Sequence, residues 1–264
     1  MPSHHSRNAI EPACGLLLVG HGSRERRGID EFLATAALVA ELAPNLAVEP
    51  SFLEFAEPSI PQGFEALVRR GVDRVGVVPA LLFSAGHVQR DIPTAISVLA
   101  ATYPDVVVEQ AEHLGCQAAL LELSKQRYDE ALSINPPVWS ESTGLVMVGR
   151  GSHDPEATAE MFRFVELRRQ LTPVASARTC FVAMAEPPLE SVLDEMTGKG
   201  LKQVVVQPHL LFGGVLVDRI GRTVEHFARK HPHIQWVTTG HLGVSKCVAE
   251  AILYRATRAL TAVA

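Results

Sequence analysis

The sequence predicts an α/β protein of two homologous halves, each a small parallel sheet with helices on both faces. Three observations predict it: a repeat at one spacing, short wholly apolar strands, and alternation of those strands with helical periodicity. Gly15-Leu16-Leu17-Leu18-Val19-Gly20-His21-Gly22-Ser23 returns 129 residues later as Gly144-Leu145-Val146-Met147-Val148-Gly149-Arg150-Gly151-Ser152. The same spacing carries Phe52-Leu53-Glu54-Phe55-Ala56-Glu57-Pro58 onto Phe181-Val182-Ala183-Met184-Ala185-Glu186-Pro187, and Leu81-Leu82-Phe83 onto Leu210-Leu211-Phe212. One residue is then lost, and His113-Leu114-Gly115 meets His241-Leu242-Gly243. The halves join near Asn135-Pro136-Pro137, where proline ends a helix. The expected division is a disordered polar tail over 1–13, a first domain over 14–136 and a second over 137–264.

Each element of the first half follows from its pattern. Leu16 to Gly20 is apolar throughout, as a strand buried on both faces must be. Ile29, Phe32, Leu33, Ala36, Ala37 and Ala40 recur at helical spacing, and Pro44-Asn45 closes that helix. Val48 to Phe55 reads as a second strand. Pro58 opens a helix carrying Ile60, Phe64, Leu67 and Val68, with Glu57 as its cap here and Glu186 in the copy. Arg74 to Pro79 is a third strand, Asp91 to Ala101 a helix, Val106 to Glu109 a fourth strand and Gln117 to Leu132 the closing helix. In such sheets ligands sit beyond the carboxyl ends of the strands, here the loops 20–27, 54–57 and 82–90.

Composition excludes several classes. With 47% hydrophobic and 20% charged residues, the chain of 264 is neither disordered nor a coiled coil. No apolar run reaches the roughly 18 residues of a membrane helix, and Met1 to Pro12 lacks the core of a secretion signal. A net charge of −5 opposes broad nucleic-acid binding. Cys14, Cys116, Cys180 and Cys247 form no C-x-x-C and read as reduced thiols of a cytoplasmic protein. Gly20-His21-Gly22-Ser23 is neither a dinucleotide turn nor a Walker loop, and no G-x-S-x-G elbow exists.

The two copies differ where the chemistry lies. His21, Glu54 and His87 fall in the three strand-end loops of the first half; their counterparts are Arg150, Ala183 and Leu216. Taken singly, each has an ordinary reading: a turn histidine, a helix cap, a surface imidazole. Their joint loss from a copy that keeps the surrounding scaffold argues that they act together. Two imidazoles and a carboxylate make an incomplete coordination sphere, suited to a metal that is passed on rather than kept. His113 and His241 occur in both halves and read as scaffold, while His209, His231 and His233 read as solvated or satisfied in the core.

Gly20-His21-Gly22-Ser23-Arg24, Phe52 to Pro58, and Ala85-Gly86-His87 followed by Asp91-Ile92-Pro93 resemble the sirohydrochlorin chelatases. These are class II tetrapyrrole chelatases that insert iron or cobalt into sirohydrochlorin. The resemblance spans about Gly15 to Leu260 and includes the two-half form whose first half alone keeps the histidines. It implies two chelatase-like domains with the macrocycle in the cleft between them. It places metal binding and proton acceptance at His21 and His87, with Glu54 as the acidic partner. The substrates are then sirohydrochlorin and Fe²⁺ or Co²⁺, with no tightly bound cofactor, no nucleic acid, no membrane, and a monomeric chain. Because the macrocycle is a polycarboxylate, the cleft is expected to be locally basic. Arg24, Arg90, Arg150 and Arg219 are the candidate carboxylate partners, with Ser84, Ala85 and Gly86 as further candidate binding residues. Arg26 and Arg27 serve equally as binding groups or as a solvated helix start. Long cobalt-inserting relatives often carry a C-terminal histidine-rich or cysteine extension; this sequence shows none before Ala264, which tilts the expectation toward iron. Cobalt insertion, or a carrier that binds without removing protons, are the alternatives.

Overall fold

In the computed structural model, which describes residues 13–83, 88–135 and 138–261, the apolar runs form two four-stranded sheets, parallel throughout. The first half alternates β1 (Cys14–Gly20), α1 (Arg26–Leu42), β2 (Ala47–Phe52), α2 (Ile60–Arg69), β3 (Arg74–Pro79), α3 (Val88–Thr102), β4 (Val107–Gln110) and α4 (Ala118–Ser133). The second repeats it as β5 (Thr143–Gly149), α5 (Pro155–Arg169), β6 (Ser176–Phe181), α6 (Leu189–Thr197), β7 (Gln203–Pro208), α7 (Val215–Lys230), β8 (Gln235–Thr238) and α8 (Lys246–Thr261). Strand orders are β2-β1-β3-β4 and β6-β5-β7-β8. The chain therefore reverses direction across each sheet beside its first strand, and the crevice there opens at the carboxyl ends of β1 and β5.

Strand periodicity divides the core. Leu16 and Leu18 of β1 join one buried cluster, while Leu17 and Val19 join another on the opposite face. Leu145 and Met147 of β5 fall in the same cluster as Leu16 and Leu18, whereas Val146 and Val148 pack on the far face. One continuous core thus passes through both halves. Each fully buried aliphatic side chain in it contributes about 1.5–3 kcal/mol relative to exposure.

The last helix of each half covers the sheet of the other. α8 packs on β3 and against α1, and Arg74 donates to the Leu260 carbonyl at 2.9 Å. α4 packs against α5 and reaches β8. There Arg127 donates to the carbonyls of His241 and Leu242 at 3.1 and 2.8 Å. Arg168 of α5 is fully buried, donating to the Ser124 hydroxyl of α4 at 3.0 Å. The repeat in sequence changes over near residue 136, but packing interlocks the halves.

Several element boundaries differ from expectation. β2 stops at Phe52 rather than Phe55, because Phe55 takes φ 63 and the chain folds back so that Phe52 N–H meets the Pro58 carbonyl at 2.8 Å. α2 begins at Ile60, capped by a Ser59–Gln62 box in which the Ser59 N–H donates to Gln62 Oε1 at 2.6 Å. Glu57 and Glu186 are exposed and cap neither helix; the residue preceding α6 is Pro188. α3 begins at Val88, ahead of Asp91. Ala13, assigned to the tail, belongs to the fold, its carbonyl accepting from Asp73 N–H at 3.1 Å. The rest of the tail and Pro136-Pro137 lie outside the described residues.

Candidate active site

The loops after β1 and β2 are fastened to each other by backbone. Leu53 N–H donates to the Gly20 carbonyl at 2.9 Å and Glu54 N–H to the His21 carbonyl at 3.1 Å. Gly22 sits at φ 93, and a Cβ there would collide with the Glu54 carbonyl oxygen, so only glycine permits this approach. Ser23 Oγ accepts from Glu25 N–H at 3.0 Å and turns the chain into α1. The second half repeats each device. Val182 and Ala183 donate to Gly149 and Arg150 at 3.0 and 2.9 Å, Gly151 stands at φ 91 against Ala183, and Ser152 accepts from Asp154 at 3.0 Å.

On this common backbone the first half alone carries a histidine–glutamate pair. His21 Nδ1 lies 3.3 Å from Glu54 Oε1, both side chains partly exposed. The carboxylate so placed orients the ring. In the copy, Arg150 and Ala183 occupy the same two positions. His21 opens onto a cleft of about 860 Å³ lined by both halves, including Arg24 and Phe55 from one and Arg150, Met184 and His209 from the other. The Arg24 guanidinium lies 4.9 Å from the centre of the Phe55 ring.

The remaining candidates fall as follows. His87, with Ser84, Ala85 and Gly86, lies outside the described residues. Among the described residues no three metal-ligating side chains cluster. Arg90 is exposed on the first turn of α3. Arg219 of α7 faces Glu190 of α6 at 3.6 Å and is not among the described cleft-lining residues. Arg26 pairs with Asp30 on the surface of α1 at 3.0 Å. Arg27 reaches Asp218 of α7 at 3.4 Å and so ties the two halves.

Three further groups were not singled out for these roles by sequence. His113 meets Glu160 of α5 at 2.8 Å, and His241 meets Glu31 of α1 at 2.9 Å, two crossed clasps between the halves. Glu31 also accepts from Gly213 N–H at 2.7 Å. The signal was available, since Glu31 and Glu160 are themselves 129 residues apart. His209 is buried, 2% exposed, and among the described residues neither ring nitrogen finds a hydrogen-bond partner. Its ring lies tilted against Phe164, centroids 3.9 Å apart, with Phe83 at 5.5 Å, and burial pushes its imidazole down to about 3.

Twin α/β halves, a shared cleft and a histidine–glutamate pair confined to one half define a two-repeat protein with a one-sided site. The CbiX family matches residues 15–131 and again 144–259, and the chain belongs to that family. A sirohydrochlorin ferrochelatase of Bacillus subtilis is 32% identical over 243 residues, 91% of this chain and 89% of that protein. A sirohydrochlorin cobaltochelatase of Priestia megaterium is 32% identical over 229 residues, 86% of this chain and 74% of that protein. The structure of SirB from Bacillus subtilis with Fe³⁺ is similar with a TM-score of 0.81 at 29% identity, covering 94% of this chain and 96% of that one.

Proposed function

We propose that this protein inserts a divalent metal into sirohydrochlorin, with Fe²⁺ as the metal and siroheme as the product. The observation that carries the reading is the His21–Glu54 pair, 3.3 Å apart on a backbone whose copy keeps every fastening but neither side chain. Metal insertion exchanges one divalent ion for two pyrrole protons, so it needs ligands that release metal and bases that accept protons. Neutral imidazole does both near neutral pH. With Glu54 at Nδ1, the ring carries its proton there and its lone pair on Nε2. His21 then receives the incoming ion, displacing part of its water shell, with His87 completing the ligand set; as the ion passes to the macrocycle, each freed imidazole takes one of the two pyrrole protons. Glu54 stabilises the charge that develops on the imidazole. Arg24 and Arg150 hold carboxylates at the rim of the macrocycle by forked hydrogen bonds.

Iron is favoured because the ferrochelatase relative matches along nearly its whole length, the cobaltochelatase along less. Cobalt is the second reading, since identity to the two is equal at 32%. A monomer is favoured because α4 and α8 already cover both sheets within one chain. Four free thiols fit a reducing cytoplasm, and no described helix is long and apolar enough to cross a membrane. The test is a spectroscopic assay of purified protein with sirohydrochlorin and Fe²⁺ or Co²⁺. Turnover beyond one equivalent supports an enzyme. A single equivalent bound and never released as metallated product would make it a carrier.

A further inference from the structure

Phe55 and Met184 occupy the same place in the two repeats, each one residue after the strand-end position that holds Glu54 or Ala183. Both adopt left-handed backbone, φ 63 and φ 54. For a large side chain that region is strained, because Cβ crowds the adjoining carbonyl. Glycine or asparagine would take the same shape at lower cost. Burial does not offset the strain, since Phe55 is 55% exposed and Met184 44%. Both instead line the cleft, one from each half. The second copy has lost its histidine and glutamate yet retains an exposed apolar side chain on a strained backbone. Local strain without a folding return marks a functional constraint, and large apolar side chains exposed in a cleft mark a ligand surface.

The chemistry of the ligand follows from what surrounds them. Two apolar side chains entering one cleft from different halves suit a flat body with apolar faces. The arginines beside them, Arg24 over the Phe55 ring and Arg150 at the head of the opposite loop, suit anionic groups at that body's rim. We infer that Phe55 and Met184 grip the two faces of the macrocycle and set its position against His21, an inference that rests on the chelatase reading above. They are binding and positioning groups and transfer no proton. Arg24 supports the grip by packing its cation on the Phe55 ring, which holds the ring's orientation and keeps the charge at its edge.

The test is binding of metal-free sirohydrochlorin, read by its fluorescence, beside steady-state insertion kinetics and thermal melting. Phe55→Ala and Met184→Ala should each raise Kd and KM about tenfold, the size expected when a central aromatic or thioether contact is truncated. Their kcat should stay within about threefold, because the proton acceptors are untouched. Phe55→Leu should recover most of the affinity. Phe55→Gly should bind as weakly as the alanine variant while melting no lower than wild type, since it relaxes the backbone. A Kd within about twofold of wild type in both alanine variants would overturn the grip, as would a lower melting temperature for Phe55→Gly. Wild-type turnover with unaffected variants overturns the grip alone. Wild-type protein that neither binds nor metallates sirohydrochlorin overturns the chelatase reading beneath it.

Discussion

His209 and Glu54 show how a single side chain is judged by what its surroundings demand. Both His209 nitrogens are buried with no partner among the described residues, and burial lowers the ring's folded-state pKa from 6.5 to about 3. Above pH 6.5 the ring is neutral in both states and adds no pH dependence. As pH falls below 6.5 the unfolded chain takes up a proton that the folded chain refuses until about 3, so stability declines across that window. At pH 5 the loss from this residue is about 2 kcal/mol. His209→Phe keeps the ring contact with Phe164 and should lose less stability between pH 7 and pH 5 by about that amount, measured by urea unfolding; parallel pH profiles would contradict the assignment. Glu54 makes the opposite case. Alanine stands at its position in the copy, so Glu54→Ala should change stability by less than about 1 kcal/mol while slowing insertion with an altered pH profile. Glu54→Gln should be nearly as slow; retention of wild-type rates in both would place the carboxylate outside the chemistry.

At the scale of elements, the strand-end loops decide both what was readable and what was not. The repeat made every strand and helix of the first half legible, because two copies of one pattern exclude accidental periodicity. The sequence reads β2 three residues too long, since Leu53 and Phe55 keep the segment apolar past the point where the backbone leaves the strand. Nothing in an aromatic residue type announces φ 63. The cap of α2 was misplaced for a related reason. Glu57 recurs in both halves, but it recurs as an exposed member of a common loop, while Ser59 and Gln62 satisfy the helix start. Ser59→Ala should therefore cost about 1 kcal/mol in thermal or denaturant unfolding. Glu57→Ala should stay within about 0.5 kcal/mol, and the reverse order of the two would return the cap to Glu57.

For the whole molecule, the feature hidden from sequence is the exchange of α4 and α8. A repeat cannot say which sheet its last helix covers, because either helix satisfies either sheet by the same apolar stripe. Covering each other's sheet is what turns two repeats into one continuous core. A fragment ending at Asn135 leaves the α8 site on its own sheet open and carries α4 with no second-half sheet to cover. It should associate into a symmetric dimer in which each α4 covers the other copy's sheet, as judged by sedimentation; a stable, fully helical monomer would contradict the interlock. The candidate site is a pattern of difference between copies, and the geometry brings Glu54 to His21, which opens onto the cleft. The central claim, that the first half's imidazole performs metal insertion, is tested most directly by the rate of Fe²⁺ insertion into sirohydrochlorin for His21→Ala beside wild type. The account predicts a fall of at least ~100-fold with an unchanged melting temperature, because the copy folds without that histidine. A His21→Ala protein that turns over at the wild-type rate would contradict it.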